Sequence, residues 1–206
     1  MESLGKLFGS VAKVKIMRLF LFNPGTACDL KSIAIRTQVS TIIAKREIQG
    51  ILESGLIKKK DFSIREEFKK KNGIFYKKVK MKGFILDGEF PYLQALQALL
   101  LNANPFTQAE ISKRLGRAGI IKLIIVSGVF IQNWESRIDL LVVGDRLDQR
   151  KLKNIVKAME AELGRELRYS TFETKEFQYR ISMYDKLIRD VLDFPHQKLI
   201  NKIGIL

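Results

Sequence analysis

Apolar residues in the first half of the chain recur every three or four positions, which is the spacing of one face of a helix. This spacing holds from Val11 to Leu21 and stops at Asn23-Pro24-Gly25, so it predicts a helix that ends there. It returns from Leu30 to Ala34, where Asp29 stands at the N-cap position of a second, shorter helix. This part of the chain therefore predicts two successive helices.

A third helix is predicted from about Val39 to Ser54. Its inward-facing positions are expected to be Ile43, Ile48, Ile51 and Leu52. Gly55 follows and can adopt the left-handed conformation that turns a helix into a strand. Two β-like stretches come next, Leu56–Ser63 and Gly73–Met81. The predicted order is therefore three helices followed by two strands.

The second half of the chain alternates between helical and strand-like patterns. Its predicted elements are an apolar helical stripe at Tyr92, Leu93, Leu96, Leu99 and Leu100, a helix near Gln108–Leu115, buried strands at Ile120–Val126 and Ile138–Val143, a helix at Leu152–Leu163, a strand at Leu167–Thr171 and a last helical region around Phe177–Val191. Strands alternating with helices favour an α/β or α+β domain with a small mixed sheet.

The two halves also differ in charge. Residues 1–90 hold 19 basic and 9 acidic side chains, whereas residues 91–206 hold 18 and 13. Two glycines and Pro91 interrupt periodic structure between Gly83 and Tyr92, which places a domain boundary near residue 90. We therefore expect an α+β protein of two domains, 1–90 and 91–206.

The composition indicates a polyanionic partner. The formal charge is +15 and the isoelectric point is near 9.9, which favours nucleic acid or an anionic membrane surface. No apolar run reaches the roughly 18 residues that span a bilayer, and the N-terminal segment does not have the pattern of an export signal. A single cysteine, Cys28, excludes an internal disulfide. The expectation is a cytoplasmic protein without a membrane partner.

The segment VSTIIAKREIQGILESGLIKKK (Val39–Lys60) resembles the recognition helix and first wing strand of ArsR-type winged-helix regulators. The resemblance extends over roughly residues 8–82. It implies a winged helix-turn-helix domain that places one helix in the major groove of double-stranded DNA. Between Lys58 and Lys82, 11 of 25 residues are basic, so the hairpin is expected to follow the phosphate backbone. The alternative is a solvated lysine-rich hairpin that only keeps the protein soluble.

The residues expected to contact DNA lie on the exposed face of the third helix and along the hairpin. They are Gln38, Ser40, Thr41, Lys45, Arg46, Lys58, Lys59, Lys60, Lys69, Lys70, Lys71, Lys77 and Lys78.

The segment VSGVFIQNWESRIDLLVVGD (Val126–Asp145) resembles the signature of minimal nucleotidyltransferases of the polymerase-beta superfamily, and the likeness extends over roughly residues 105–200. In that family a strand ends in Gly-Ser and the next strand carries Asp-x-Asp, whose carboxylates bind two metal ions. Gly128 and Asp139 occupy matching positions, but Val129 replaces the serine and Arg137 replaces the first carboxylate. The resemblance therefore implies a mixed-sheet domain that has lost its catalysis.

The degenerate pocket is expected at Ser127, Gly128, Arg137 and Asp139, with no catalytic residue, metal or cofactor. Asp139 is interpreted either as a metal ligand or as a strand-end carboxylate paired with Arg137 or a nearby amide. If Arg137, Arg168 and Lys122 converge there, a small anionic ligand or nucleotide would be a further partner.

The sequence therefore predicts a DNA-binding transcriptional regulator whose second domain serves for dimerisation or ligand sensing. The alternatives are an active Mg-dependent nucleotidyltransferase recruited by its winged helix, and an antitoxin-like partner of a toxin. A homodimer is expected through the stripe from Tyr92 to Leu100, unless that helix covers the sheet of the second domain.

Overall fold

The structure, a computed structural model, describes residues 1–70, 73–102 and 104–204, and within these the backbone alone for residues 66, 68–70 and 73–75. The fold is α+β with two separate sheets, as the sequence predicts. The chain divides into two compact units, residues 1–103 with 161–165 and residues 104–160 with 166–206. The division lies beyond residue 90 because the helix at Leu93–Leu101 packs with the first unit.

The first unit begins with four helices, α1 (Glu2–Phe8), α2 (Val11–Phe22), α3 (Leu30–Thr37) and α4 (Thr41–Glu53). The predicted caps are confirmed: the Asp29 carboxylate accepts hydrogen bonds from the backbone amides of Lys31 and Ser32. After α4, Gly55 takes a left-handed φ of 83°. The helix α1 was not predicted, because it is short, has little apolar periodicity and contains Gly5.

A long antiparallel hairpin follows, made of β1 (Ile57–Lys70) and β2 (Gly73–Leu86). Cys28 adds a short antiparallel bridge to Phe84, with backbone N–H···O distances of 2.9 Å in both directions. The strands are longer than predicted, since pairing continues through charged positions such as Arg65 and Glu67.

The core of the first unit lies between α2, α3, α4 and the base of the hairpin, with α5 (Leu93–Leu101) packed against it. Leu100 is fully buried there, and Leu93 and Leu96 are partly buried against the same core. The helix therefore belongs to the core of the first unit. Arg18 is also buried, and its Nε donates to the Leu163 carbonyl at 3.1 Å. Burial lowers the pKa of this guanidinium to about 10.

The predicted inward face of α4 is only partly correct. Ile48 and Ile51 are buried, and Leu52 packs partly against the core. Ile43 is 39% exposed, so its predicted inward position is wrong. The helix begins at Thr41, and its buried face passes through Ala44, one residue beyond Ile43.

In the described residues, the second unit contains four α-helices and two 3-10 turns around one sheet. They are α6 (Gln108–Leu115), a 3-10 turn at Gly116–Ala118, α7 (Gln149–Leu163, whose last residues group with the first unit), α8 (Thr174–Ser182) and α9 (Lys186–Asp193). A second 3-10 turn, Gly128–Phe130, follows the first strand of the sheet.

The sheet of the second unit consists of β3 (Ile120–Val126), β4 (Leu140–Asp145), β5 (Tyr169–Glu173) and β6 (Gln197–Asn201) in the order β5-β4-β3-β6. β4 pairs parallel with β5, while β3 pairs antiparallel with β4 and β6. The predicted small mixed sheet is therefore confirmed. Phe177, Ile188 and Val191 of the last helical region are buried against one face of this sheet. In the described part of the chain, no helix is long and apolar enough to cross a bilayer.

Candidate functional site

The turn between α3 and α4 orients the predicted recognition helix. Gln38 ends α3 in a left-handed conformation with a φ of 51°, and its backbone N–H caps that helix. Ser40 then caps α4, accepting a hydrogen bond from the Ile43 amide with its side-chain oxygen. Both residues are exposed. The two helices are thus joined by the three residues Gln38-Val39-Ser40, which fix where α4 begins.

The helix α4 has one buried and one exposed face. Ala44, Ile48 and Ile51 point into the core, whereas Thr41 and Lys45 are exposed. Residues three and four apart share a helix face. The packing of the buried face therefore leaves the other free to approach a ligand.

Arg46 has a second role that the sequence did not reveal. Its Nη2 lies 2.9 Å from Glu47 Oε1, and the Glu47 side chain is only 9% exposed while that of Arg46 is 73% exposed. Burying a carboxylate is costly unless a partner satisfies it. Arg46 thus stabilises α4 in addition to any contact with a ligand. A substitution of Lys45 therefore tests DNA contact with less effect on the helix.

The register of the hairpin sorts its side chains onto two faces. Residues directly opposite each other in antiparallel strands share a face, and successive residues alternate. One face carries the pairs Phe62–Met81 and Ile64–Val79, all half-buried. The other face carries exposed, mostly charged residues, so the hairpin has an apolar side and a cationic side.

The cationic side carries five described basic side chains against the acids Asp61 and Glu67. They are Lys59, Arg65, Lys78, Lys80 and Lys82. Like-charged neighbours two residues apart lie about 7 Å from each other, within a screening length of about 8 Å. Arg65 also lies directly opposite Lys78. Like charges placed opposite each other destabilise a hairpin, so this pair opposes folding, whereas Asp61 opposite Lys82 favours it.

Three of these five residues, Arg65, Lys80 and Lys82, were not among the predicted contacts. The strict alternation in KKVKMK (Lys77–Lys82), with Val79 and Met81 between lysines, could have identified two of them from the sequence. Arg65 depends on the strand register, which continues past the predicted strand end.

The remaining predicted lysines are placed less favourably. Lys58, Lys60 and Lys77 lie on the same face as Phe62 and Ile64. Lys58 also forms an ion pair with Asp87, with Nζ 3.0 Å from Oδ1. Lys69 and Lys70 belong to β1 by their backbone only, and Lys71 lies outside the described residues.

In the second unit, Asp139 is fully buried and its carboxylate is occupied by four donors. Oδ1 accepts hydrogen bonds from the Val129 amide at 3.1 Å and from Arg168 Nη2 at 3.3 Å. Oδ2 accepts from the Arg168 amide at 2.9 Å and from Arg168 Nε at 3.2 Å. The interpretation of Asp139 as a paired strand-end carboxylate agrees with this geometry, although the partner is Arg168 and not Arg137.

The backbone around Asp139 leaves no space beside the carboxylate. Gly128 has a φ of 56°, and a Cβ at this position would lie 2.9 Å from Asp139 Cγ and closer still to Oδ1. Ser127 donates its hydroxyl hydrogen to the carbonyl of Ile138, so it too is engaged. Glycine at 128 therefore allows the close approach of Asp139.

The three cations expected to converge do not do so. Arg137 Nη1 pairs with Asp190 Oδ2 at 2.8 Å, and Arg168 pairs with Asp139. Lys122 lies on β3 between Ile121, which pairs with Gly144, and Leu123, which pairs with Val143. That is the opposite end of β4 from Asp139. The cleft beside Arg137 and Ser127 has no room for a water molecule. An anionic ligand held jointly by these three cations is therefore not supported.

The described residues hold no group of three or more His, Cys, Asp or Glu side chains arranged for a metal ion. Cys28 is buried in the first unit, where burial raises the pKa of its thiol while nearby Arg36 acts in the opposite direction. Comparison of the chain with family models, characterised proteins and solved structures gives no significant match in any of the three.

Proposed function

We propose that the protein is a DNA-binding transcriptional regulator, in which α3 and α4 form a helix-turn-helix and β1 and β2 form its wing. The cationic side of the hairpin would follow the phosphate backbone while the exposed face of α4 enters the major groove. The second unit would be a nucleotidyltransferase-like domain without transferase activity. A homodimer, reading paired half-sites, belongs to the same proposal.

The observation that carries the proposal is the position of Arg65 directly opposite Lys78 on a face already rich in lysine. Such a local conflict is typical of a functional surface, since a site can retain residues that folding alone disfavours. A polyanion placed along this face relieves the repulsion. Counterions released from DNA would add affinity that falls steeply with salt.

A matched pair of charge reversals tests the proposal. Lys80→Glu changes the cationic side opposite Ser63, and Lys60→Glu makes the same charge change on the apolar side opposite Gly83. We expect Lys80→Glu to weaken duplex binding roughly tenfold and to reduce the slope of log affinity against log salt by about 1, with Lys60→Glu close to wild type. Fluorescence anisotropy over a salt series measures both quantities.

A third variant separates binding from folding. Lys78→Glu replaces a repulsive pair with Arg65 by an attractive one, so it should raise thermal stability while it lowers DNA affinity. Equal losses for Lys80→Glu and Lys60→Glu would show that only total charge matters and would refute the wing assignment. Absence of duplex binding at low salt would refute DNA binding altogether.

The four hydrogen bonds that the Asp139 carboxylate accepts also support the proposal that catalysis has been lost. Metal-assisted phosphoryl transfer requires carboxylate oxygens open to the ions. Here the carboxylate that matches the family position is buried and satisfied by protein groups, and its neighbour two residues earlier is a cation.

A further inference from the structure

The exposed face of α4 carries an apolar side chain among its polar ones. Ile42 is 84% exposed, the highest value among the large hydrophobic side chains of the described residues. Helical spacing places it on the same face as Lys45 and Arg46 one turn later. The first turn of the helix thus presents an isoleucine bordered by cations.

Local folding does not require an isoleucine here. A β-branched residue is a weaker helix former than lysine, alanine or glutamine, and an 84% exposed side chain adds almost nothing to the core. The adjacent cap, Ser40, already fixes the start of α4. Ile42 is therefore available to a surface that the protein binds.

The neighbouring charges indicate what that contact is. A rim of cations favours an anionic partner over an apolar protein surface. Within the major groove of DNA the base edges are polar except for one group, the C5-methyl of thymine, which apolar side chains contact. An isoleucine beside two cations at the start of a recognition helix matches that combination.

We propose that Ile42 is a specificity-determining residue that packs against a thymine C5-methyl in the major groove. The inference rests on the proposed DNA binding and names what one side chain of that surface reads. Lys45 and Arg46 supply the charge that holds the backbone nearby. Covering one methyl group changes affinity by about fourfold.

The experiment begins with selection of bound sites from a random duplex library. Each thymine of the selected site is then replaced by uracil, which removes only the C5-methyl. For the wild type we expect an affinity loss of about fourfold at one or two positions. For Ile42→Ala the loss at those positions should disappear. Leu7→Ala is the control, because Leu7 is a comparably exposed side chain (69%) on α1, and this variant should keep the thymine preference.

The outcomes separate the two proposals. If wild type binds DNA but tolerates every uracil, or if Ile42→Ala still prefers thymine, the assignment of Ile42 is wrong and DNA binding stands. If neither protein binds any duplex, both proposals fail. Ile42-dependent binding to phosphatidylserine vesicles, with no thymine preference, would assign this face to a membrane surface instead.

Discussion

The Arg168 guanidinium donates two hydrogen bonds to the Asp139 carboxylate, with Nε 3.2 Å from Oδ2 and Nη2 3.3 Å from Oδ1. The Arg168 backbone amide donates a third. The same arginine thus supplies three of the four donors to a fully buried acid. Asp139 connects the end of β3, through Val129, with the residue that leads into β5. It is a structural link between strands.

Removing this carboxylate should destabilise the protein. Asp139→Ala leaves the buried Val129 amide and the part-buried amide and guanidinium of Arg168 without their acceptor, so we expect a loss of about 2–4 kcal/mol of unfolding free energy. Urea denaturation followed by circular dichroism measures it. Asp193→Ala removes a carboxylate whose partner Arg189 is 3.7 Å away and exposed, and it should cost under about 1 kcal/mol. Similar losses for the two variants would contradict the structural role of Asp139.

Gly128→Ala should also destabilise the second unit, because a methyl group there collides with the Asp139 carboxylate. Gly9→Ala provides the control, since Gly9 has a φ of 90° with nothing within 4 Å of the added Cβ. Both variants carry the strain of a left-handed backbone, roughly 1 kcal/mol. The excess loss in Gly128→Ala reports the collision, and a melting temperature equal to that of Gly9→Ala would exclude it.

No nucleotide turnover is expected from the second unit. Incubation with each of the four nucleoside triphosphates and Mg²⁺ or Mn²⁺ should release no pyrophosphate and leave no radioactive label on the protein, because two-metal transfer lacks its first carboxylate. Turnover by wild type that is abolished by a folded Asp139→Asn variant would establish the enzyme alternative. The folded state of that variant must be verified by its circular dichroism, since Asp139 also has a structural role.

Cys28 should react slowly with iodoacetamide in the native protein. Burial raises the pKa of the Cys28 thiol, so less of it is ionised at a given pH. Only the thiolate reacts with iodoacetamide. We expect the native rate near pH 8.5 to be at least about tenfold lower than in guanidinium. Since the unfolded thiol ionises first, the contribution of Cys28 to stability should decrease as pH rises through the ordinary thiol range. Equal native and denatured rates by mass spectrometry would contradict its burial.

The exposed part of the α5 stripe should mediate self-association. Leu100 is buried in the first unit, but Tyr92 and Leu99 are 67% and 44% exposed. Light scattering should give about twice the 23.7 kDa chain mass at tens of micromolar, and Leu99→Lys should return it to the monomer mass. Leu7→Lys, also on an exposed helix face, should leave the dimer intact. A wild-type monomer would count against the homodimer.

Elements with strong local signals could be predicted from the sequence. Asp29 begins a helix through hydrogen bonds to nearby amides, and Gly55 ends one through its left-handed conformation. Both signals are local, so a short stretch of sequence is enough to predict these helix ends. β6 was missed because three half-buried residues between two exposed ones give no clear alternation. Ile43 was misplaced because two adjacent isoleucines, Ile42 and Ile43, begin the helix, and the apolar spacing alone does not show which of its faces is buried.

The candidate site was less predictable than the fold. The engagement of Asp139 depends on Arg168, which is 29 residues distant, and no spacing rule connects them. Arg137 was expected near Asp139 because it is two residues away, yet it reaches Asp190 instead. The partner of a long side chain depends on the tertiary structure around it, which the spacing of residues in one sequence does not predict.

The hairpin also bears on how the protein behaves when it is crowded. In the described residues its sheet has only two strands, so each strand has an outer edge with backbone groups available for pairing with another molecule, except at Phe84, which pairs with Cys28. Lysines at alternate positions, such as Lys78 and Lys80, discourage such stacking through repulsion between copies. Acetylation of the lysines removes that protection, and reversal of a single lysine to glutamate weakens it, because the new carboxylate attracts the lysines of a neighbouring copy. Neutralised hairpins would therefore aggregate edge to edge even where the fold of each molecule is intact.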